Sequence, residues 1–163
     1  MTAILEVLGG PKAVSRRPGN VHEWVESIRA GLPVASALAF KTALHLTNGE
    51  LADLLGVTAR TVLRWDPGKS RLDVASGDRL VRTAHLYTVA AAVLEDDEAA
   101  VRWLRSPQNA LGGAVPLELA ATDVGSRAVE ALLGRMEHGV FTDRKSTRLN
   151  SSHIQKSRMP SSA

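Results

Sequence analysis

The sequence predicts an all-α protein, and three observations carry that reading. No segment alternates apolar and polar residues with period two, the mark of a half-buried strand. Apolar residues recur instead at i+3 and i+4, as in Leu80, Ala84, Tyr87, Ala91 and Leu94. Helix punctuators stand between such stretches: Gly31-Leu32-Pro33, Pro67-Gly68 and Ser106-Pro107.

Taken in order, residues 1–20 carry Gly9-Gly10-Pro11 and Pro18-Gly19, which leaves room for at most one short helix. A helix from Val21 to Ala30 sets Trp24, Val25 and Ile28 on one side. Pro33 suits the first turn of the next helix, which runs to about Leu46. Thr47 or Asn48 caps a third. Ser76 is placed to cap a long helix from Gly77 to about Leu94. The helix from Asp97 to Arg105 opens behind Glu95-Asp96-Asp97-Glu98, acids where the helix dipole favours them.

The composition allows a core but restricts its material. Of 163 residues 44% are hydrophobic and only 4% aromatic, so aliphatic side chains and Ala must fill it. Cys is absent, which excludes disulfides and thiolate metal sites. The start, MTAILEVLGG, has neither a basic n-region nor a long apolar h-region. No run of about 18 apolar residues exists, so no membrane span and a cytoplasmic location are expected. The five histidines show no metal-ligand spacing. No phosphate-binding glycine loop and no nucleophile–base set is legible, so neither an enzyme nor a bound cofactor is expected.

The formal charge of +3 is a property of the tail. Residues 142–163 hold Arg144, Lys145, Arg148, Lys156 and Arg158 against Asp143 alone, and without them the net charge is −1. This Ser-rich stretch lacks apolar periodicity and reads as disordered. It also resembles a translated sequencing-adapter read-through, and is set outside the fold. Charge in the body is uneven. Gly56 to Arg82 holds six basic residues and three acids, whereas Glu95 to His138 holds eight acids and four basic residues. The first suits phosphate and the second a basic protein surface.

Asn48 to Trp65, NGELADLLGVTARTVLRW, has the pattern of a helix-turn-helix. Ala52 is small where two helices must cross, and Gly56 can take the left-handed turn between them. Leu51, Leu55, Val57, Val62 and Trp65 supply the inward face. Thr58 is a good N-cap for the second helix. Thr58, Arg60, Thr61 and Arg64 point the other way, which suits a helix reading base edges in the major groove. Lys69 and Arg71, in the loop that follows, suit phosphates. The competing reading is a helical hairpin buried for packing alone.

The last informative stretch is Asn109 to Phe141. Thr122 is placed to cap a terminal helix and Gly139 to end it. Val124, Ala128, Val129, Ala131, Leu132, Leu133 and Met136 cover half the helix circumference or more, wider than one core contact needs. One edge can pack inward while the other meets another chain. Ser126, Arg127, Glu130, Glu137 and His138 form the polar remainder, and Arg135 intrudes into the apolar arc.

The run Trp103-Leu104, Asn109-Ala110-Leu111-Gly112-Gly113, Pro116-Leu117-Glu118-Leu119, Leu132-Leu133-Gly134-Arg135 and Glu137-His138-Gly139-Val140 resembles the toxin-binding domain of the Xre/ParS/MbcA antitoxins. The helix-turn-helix resembles that of the same family. Val115 stands where Thr or Ser is usual, Met136 where Ile is usual, and Trp65 where a basic residue is common. The resemblance implies a helix-turn-helix domain over 21–94 that binds operator DNA, and a toxin-binding domain over 95–141. It implies a homodimer that represses its own operon and neutralises a RES-domain toxin, an enzyme that consumes NAD. It places toxin contacts on Leu111, Gly112, Gly113, Leu117, Leu133, Arg135, Met136, His138 and Phe141. The alternative is a DNA-binding regulator that uses its C-terminal half for dimerisation only.

Overall fold

One helix, Val74–Leu94, is the axis on which five of the other described helices pack. At 1.5 Å per residue its 21 residues span roughly 30 Å. The structure is a computed structural model that describes residues 2–14 and 17–153, with side chains described for 3–14 and 17–139. The described helices are α1 (Thr2–Val7), α2 (Gly10–Val14), α3 (Val21–Arg29), α4 (Val34–Ala43), α5 (Asn48–Leu55), α6 (Ala59–Leu63), α7 (Val74–Leu94), α8 (Asp97–Leu104), α9 (Pro116–Leu119) and α10 (Asp123–His153). A 3-10 turn, Asn109–Leu111, lies between α8 and α9. The described residues hold no β-strand, only two isolated bridges, Pro33 with Arg71 and Gln108 with Ala114. The fold is all-α, as the missing period-two pattern requires.

A single hydrophobic cluster runs from Ile4 to Leu133. Phe40, Leu44, Leu51, Leu55, Leu80, Leu104 and Leu133 are fully buried in it. α1, α3 and α5 pack on α7 from the N-terminal half, and α8 and α10 pack on it from the C-terminal half. The expected division at 94/95 therefore falls at the end of a helix that serves both sides. Cutting there would strip α8 and α10 of their main partner.

Local chemistry explains most element ends. Asn20 caps α3 by accepting the Glu23 N–H at 2.9 Å. Thr47 and Glu50 form a reciprocal capping box at the start of α5: Thr47 Oγ1 accepts from Glu50 N–H, and Glu50 accepts from Thr47 N–H. α8 is capped by Asp96.

Seven expectations need correction. The N-terminal segment holds two short helices rather than one, because the chain turns at Gly9-Gly10 with positive φ at both. α7 is capped by Asp73, not Ser76. Asp73 Oδ1 accepts the Ser76 N–H at 2.6 Å, while the buried Ser76 hydroxyl donates to the Leu55 carbonyl. α6 ends at Leu63, short of Pro67-Gly68, so Arg64 is its C-cap. Gly139 does not end the last helix: its φ is not positive, and α10 continues to His153. The segment expected to be disordered is thus helical over 142–153, where no Pro or turn residue with left-handed geometry interrupts it; residues 154–163 lie outside the described residues. Finally Ser126, assigned to the polar side, is buried. Val25, assigned to the inner side of α3, is exposed.

Candidate functional site

Two surfaces carry the residues singled out from the sequence. The first is built on α5 and α6. α5 ends on Gly56, whose φ of 72° and ψ of 33° are left-handed. The Val57 N–H returns to the Ala52 carbonyl at 2.9 Å, the bond that closes a Schellman turn. A Cβ at position 56 would run into the guanidinium of Arg79, which donates to the Leu55 carbonyl at 2.9 Å. Gly56 is needed twice, for its backbone conformation and for the space Arg79 occupies. Leu51, Ala52, Leu55 and Val62 are buried beneath the motif, with Val57 and Trp65 packed at its edge. Trp65 keeps a packing role in place of a basic side chain.

On the outer side Thr58, Arg60, Thr61 and Arg64 are all exposed. Their availability differs. Thr58 Oγ1 accepts the Thr61 N–H at 3.1 Å, and the two hydroxyls bond each other at 2.9 Å. Thr58 is therefore first a cap. The side chains of Arg60, Arg64 and Lys69 enter no ion pair within the described residues. Arg71 is already engaged: its Nη1 donates to the Gly31 carbonyl at 2.6 Å. Lys69 and Arg71 line an open groove of about 260 Å³ together with Lys12 of α2. Lys12 was not singled out from sequence, because nothing local places α2 beside the 66–71 loop. Leu63 was also passed over, and it is 70% exposed on α6.

The second surface lies on α10 and the loop before it. The loop is closed by Gln108 and Ala114, with Gln108 N–H donating to the Ala114 carbonyl at 3.0 Å. Gly112 and Gly113 turn it with φ of 69° and 82°, and nothing lies within 4 Å of where their Cβ atoms would be. Their backbone is both left-handed and open to approach. Val115 caps α9 without a side-chain hydrogen bond, as expected for Val in place of Thr or Ser. α10 starts behind Thr122, whose Oγ1 accepts the Gly125 N–H at 3.0 Å.

The apolar arc of α10 divides as its width suggested. Val129, Leu132 and Leu133 are buried and Met136 packs against the core. Val124, Ala128, Ala131 and Arg135 are exposed. These four recur at i+4, i+7 and i+11 and form one strip along the helix. Val124 is 80% exposed. His138 is exposed too, and Leu111 is half-buried. Leu133 is a fully buried core residue, and Leu117, also buried, reaches only the wall of a cleft. Leu133 therefore does not belong to an interface, contrary to expectation: periodicity shows that an arc is wide, but not which edge its own chain covers. The side chain of Phe141 lies outside the described residues.

A cleft of about 370 Å³ separates the two surfaces. It is lined by Glu50, Asp53, Leu54, Arg105, Val115, Leu117, Glu118 and Ala121. Across it Arg105 Nη2 meets Glu50 Oε1 at 2.8 Å, and Arg105 Nη1 donates to the His45 carbonyl at 2.7 Å. The Thr47 N–H, with the Thr47 side chain and Arg105 adding to it, holds the Glu50 carboxyl below its ordinary range.

Two family models match successive stretches of the chain. The model of the antitoxin Xre-like helix-turn-helix domain matches residues 23–85. The model of the antitoxin Xre/MbcA/ParS C-terminal toxin-binding domain matches residues 89–139. Over 98 residues the chain is 34% identical to the mycobacterial cidal antitoxin MbcA of Mycobacterium bovis, covering 60% of this chain and 85% of that one. The chain belongs to the Xre/MbcA/ParS antitoxin family. It is also similar to the antitoxin Xre of Yersinia enterocolitica, at 27% identity over 119 residues, 72% of this chain and 80% of that one. A solved structure, the Mycobacterium tuberculosis MbcT–MbcA toxin–antitoxin complex, matches at a TM-score of 0.48 and 27% identity, covering 74% of this chain and 97% of that one. In this antitoxin the helix-turn-helix match spans α3 to α7 and ends within α7, and the toxin-binding match begins within the same helix.

Proposed function

We propose that this antitoxin neutralises a RES-domain, NAD-consuming toxin through the exposed strip of α10, and represses its own operon through the helix-turn-helix. The observation that carries the first half is the coincidence of the toxin-binding match with an exposed strip of Val124, Ala128, Ala131 and Arg135. Arg135, whose side chain enters no ion pair within the described residues, is a residue type enriched at interface hot spots, and the small Ala128 and Ala131 beside it leave a partner room to approach. The Gly112-Gly113 loop and His138 adjoin the proposed contact. The RES identity of the toxin rests on the family resemblance.

Arg60 and Arg64 are proposed to read bases and Lys69 to hold phosphate, with Lys12 beside it. Arg71 adds positive potential, with one of its guanidinium N–H groups held by the Gly31 carbonyl. A homodimer would present two recognition helices to two half-sites. The site of action is the cytoplasm, where operon and NAD both lie. Among the described residues no helix is long and apolar enough to cross a membrane.

The test is co-expression with the adjacent gene. The antitoxin should restore growth to cells that the neighbour alone arrests, and Arg135→Ala should weaken that rescue. A neighbour that is harmless alone, or that kills equally with the antitoxin present, would overturn the toxin half of the reading.

A further inference from the structure

The recognition helix presents two parallel strips to solvent. Arg60 and Arg64, four residues apart, make one. Ala59 and Leu63, also four apart, make the other, and both are exposed. Leu63 is the most exposed large apolar side chain of the helix-turn-helix, at 70%, while Val62 beside it is buried at 5%. Leu63 is therefore not a core residue whose packing failed: the core contact of α6 is made by its neighbour. An exposed Leu between two arginines that enter no ion pair among the described residues fits a surface made for an anionic polymer carrying methyl groups.

We infer that Ala59 and Leu63 read thymine methyl groups in the major groove, next to the bases that Arg60 and Arg64 contact. This rests on the operator-binding reading above and adds a residue class to it. In the major groove thymine shows a C5-methyl group that no other unmodified base carries, and apolar side chains recognise it by contact. Arg on its own favours guanine, through two hydrogen bonds to O6 and N7. A basic strip beside an apolar strip thus selects guanine and thymine at neighbouring positions. A phosphate-only role for α6 would leave Leu63 without any favourable contact, since phosphates offer nothing to an isobutyl group.

The experiment is uracil interference on the native upstream region, with each thymine replaced by uracil so that only the methyl group is lost. Wild-type antitoxin should lose about four-fold in affinity at one or more thymines, the effect of one methyl group leaving an apolar contact. Leu63→Ala should bind the thymine duplex more weakly by a similar factor, and should no longer distinguish thymine from uracil there. Arg60→Ala should keep that distinction. Because Leu63 is exposed, its replacement by Ala should leave the thermal midpoint unchanged. Specific binding that ignores every thymine methyl would overturn this inference alone. Binding to the upstream region no tighter than to random DNA would overturn the operator reading and this inference together. A Leu63→Ala variant that changes oligomeric state while keeping the full uracil response would show that Leu63 meets protein, and would also overturn it.

Discussion

Arg105, at the end of α8, reaches Glu50, in the first turn of α5, with 2.8 Å between Nη2 and Oε1. The pair joins the toxin-binding half to the first helix of the helix-turn-helix, and Arg105 also binds carbonyls just past the end of α4, Leu44 at 3.4 Å and His45 at 2.7 Å. Those carbonyls lie at and just beyond the C-terminus of α4, where helix carbonyls lack intrahelical donors. Arg105→Ala should destabilise the whole chain by about 1–3 kcal/mol, chiefly through the lost charged hydrogen bonds. Denaturant midpoints of Arg105→Ala, Glu50→Gln and the double variant check this. The double variant should cost less than the sum of the two single ones.

The same carboxylate sets a pH dependence. Glu50 and Asp73 both lie below the usual carboxylate range, Glu50 through Thr47 first and Asp73 through the Ser76 N–H first. A carboxyl depressed in the folded state contributes stability above its ordinary value and loses it as pH falls through the folded one. Thermal midpoints should therefore decline between about pH 5 and pH 3, and Asp73→Asn should flatten that decline. Both side chains are partly solvated, so the slope is expected to be shallow.

Position 133 separates fold from interface. Leu133 is fully buried and Arg135, two residues on, is exposed. Leu133→Asp places an unpaired carboxylate in the core and should cost about 4 kcal/mol or more, enough to unfold the antitoxin. Arg135→Ala should leave the midpoint within about 0.5 kcal/mol of wild type. Circular-dichroism melts of the two variants decide whether α10 sits as described.

The legible parts of this chain were those governed by neighbours in sequence. Thr47, Gly56 and Thr58 announce the helix-turn-helix because a cap or a left-handed turn is settled within four residues. Ser76 misled because its hydroxyl is used by Leu55, 21 residues away, leaving Asp73 as the cap. α10 showed an apolar arc too wide for one contact, but its covered edge depends on where α7 passes. Leu133 and Ala131 could be told apart only once that helix was in place. Leu63 escaped notice for the opposite reason: an apolar residue in a helix is read as core until its exposure is known.

DNA contacts should separate by salt. Arg60→Ala and Arg64→Ala should each cost about 1–3 kcal/mol on the native upstream region and relax one base preference. Lys69→Ala and Lys12→Ala should weaken all sequences alike and flatten the salt dependence by about one unit of slope each. Arg71→Ala should lower the melting temperature as well, because Gly31 loses its partner. Titrations at two salt concentrations, alongside melts, distinguish the three classes.

The most direct test of the antitoxin reading is the rate of NAD loss catalysed by the purified product of the adjacent toxin gene, titrated with this chain. Wild type should abolish NAD loss near stoichiometric amounts. Ala131→Glu, which places a charge in the exposed strip without touching the core, should require about tenfold more, a loss of about 1.4 kcal/mol of binding. NAD loss that continues undiminished with wild-type antitoxin in excess, or inhibition by Ala131→Glu equal to that of wild type, would contradict the account.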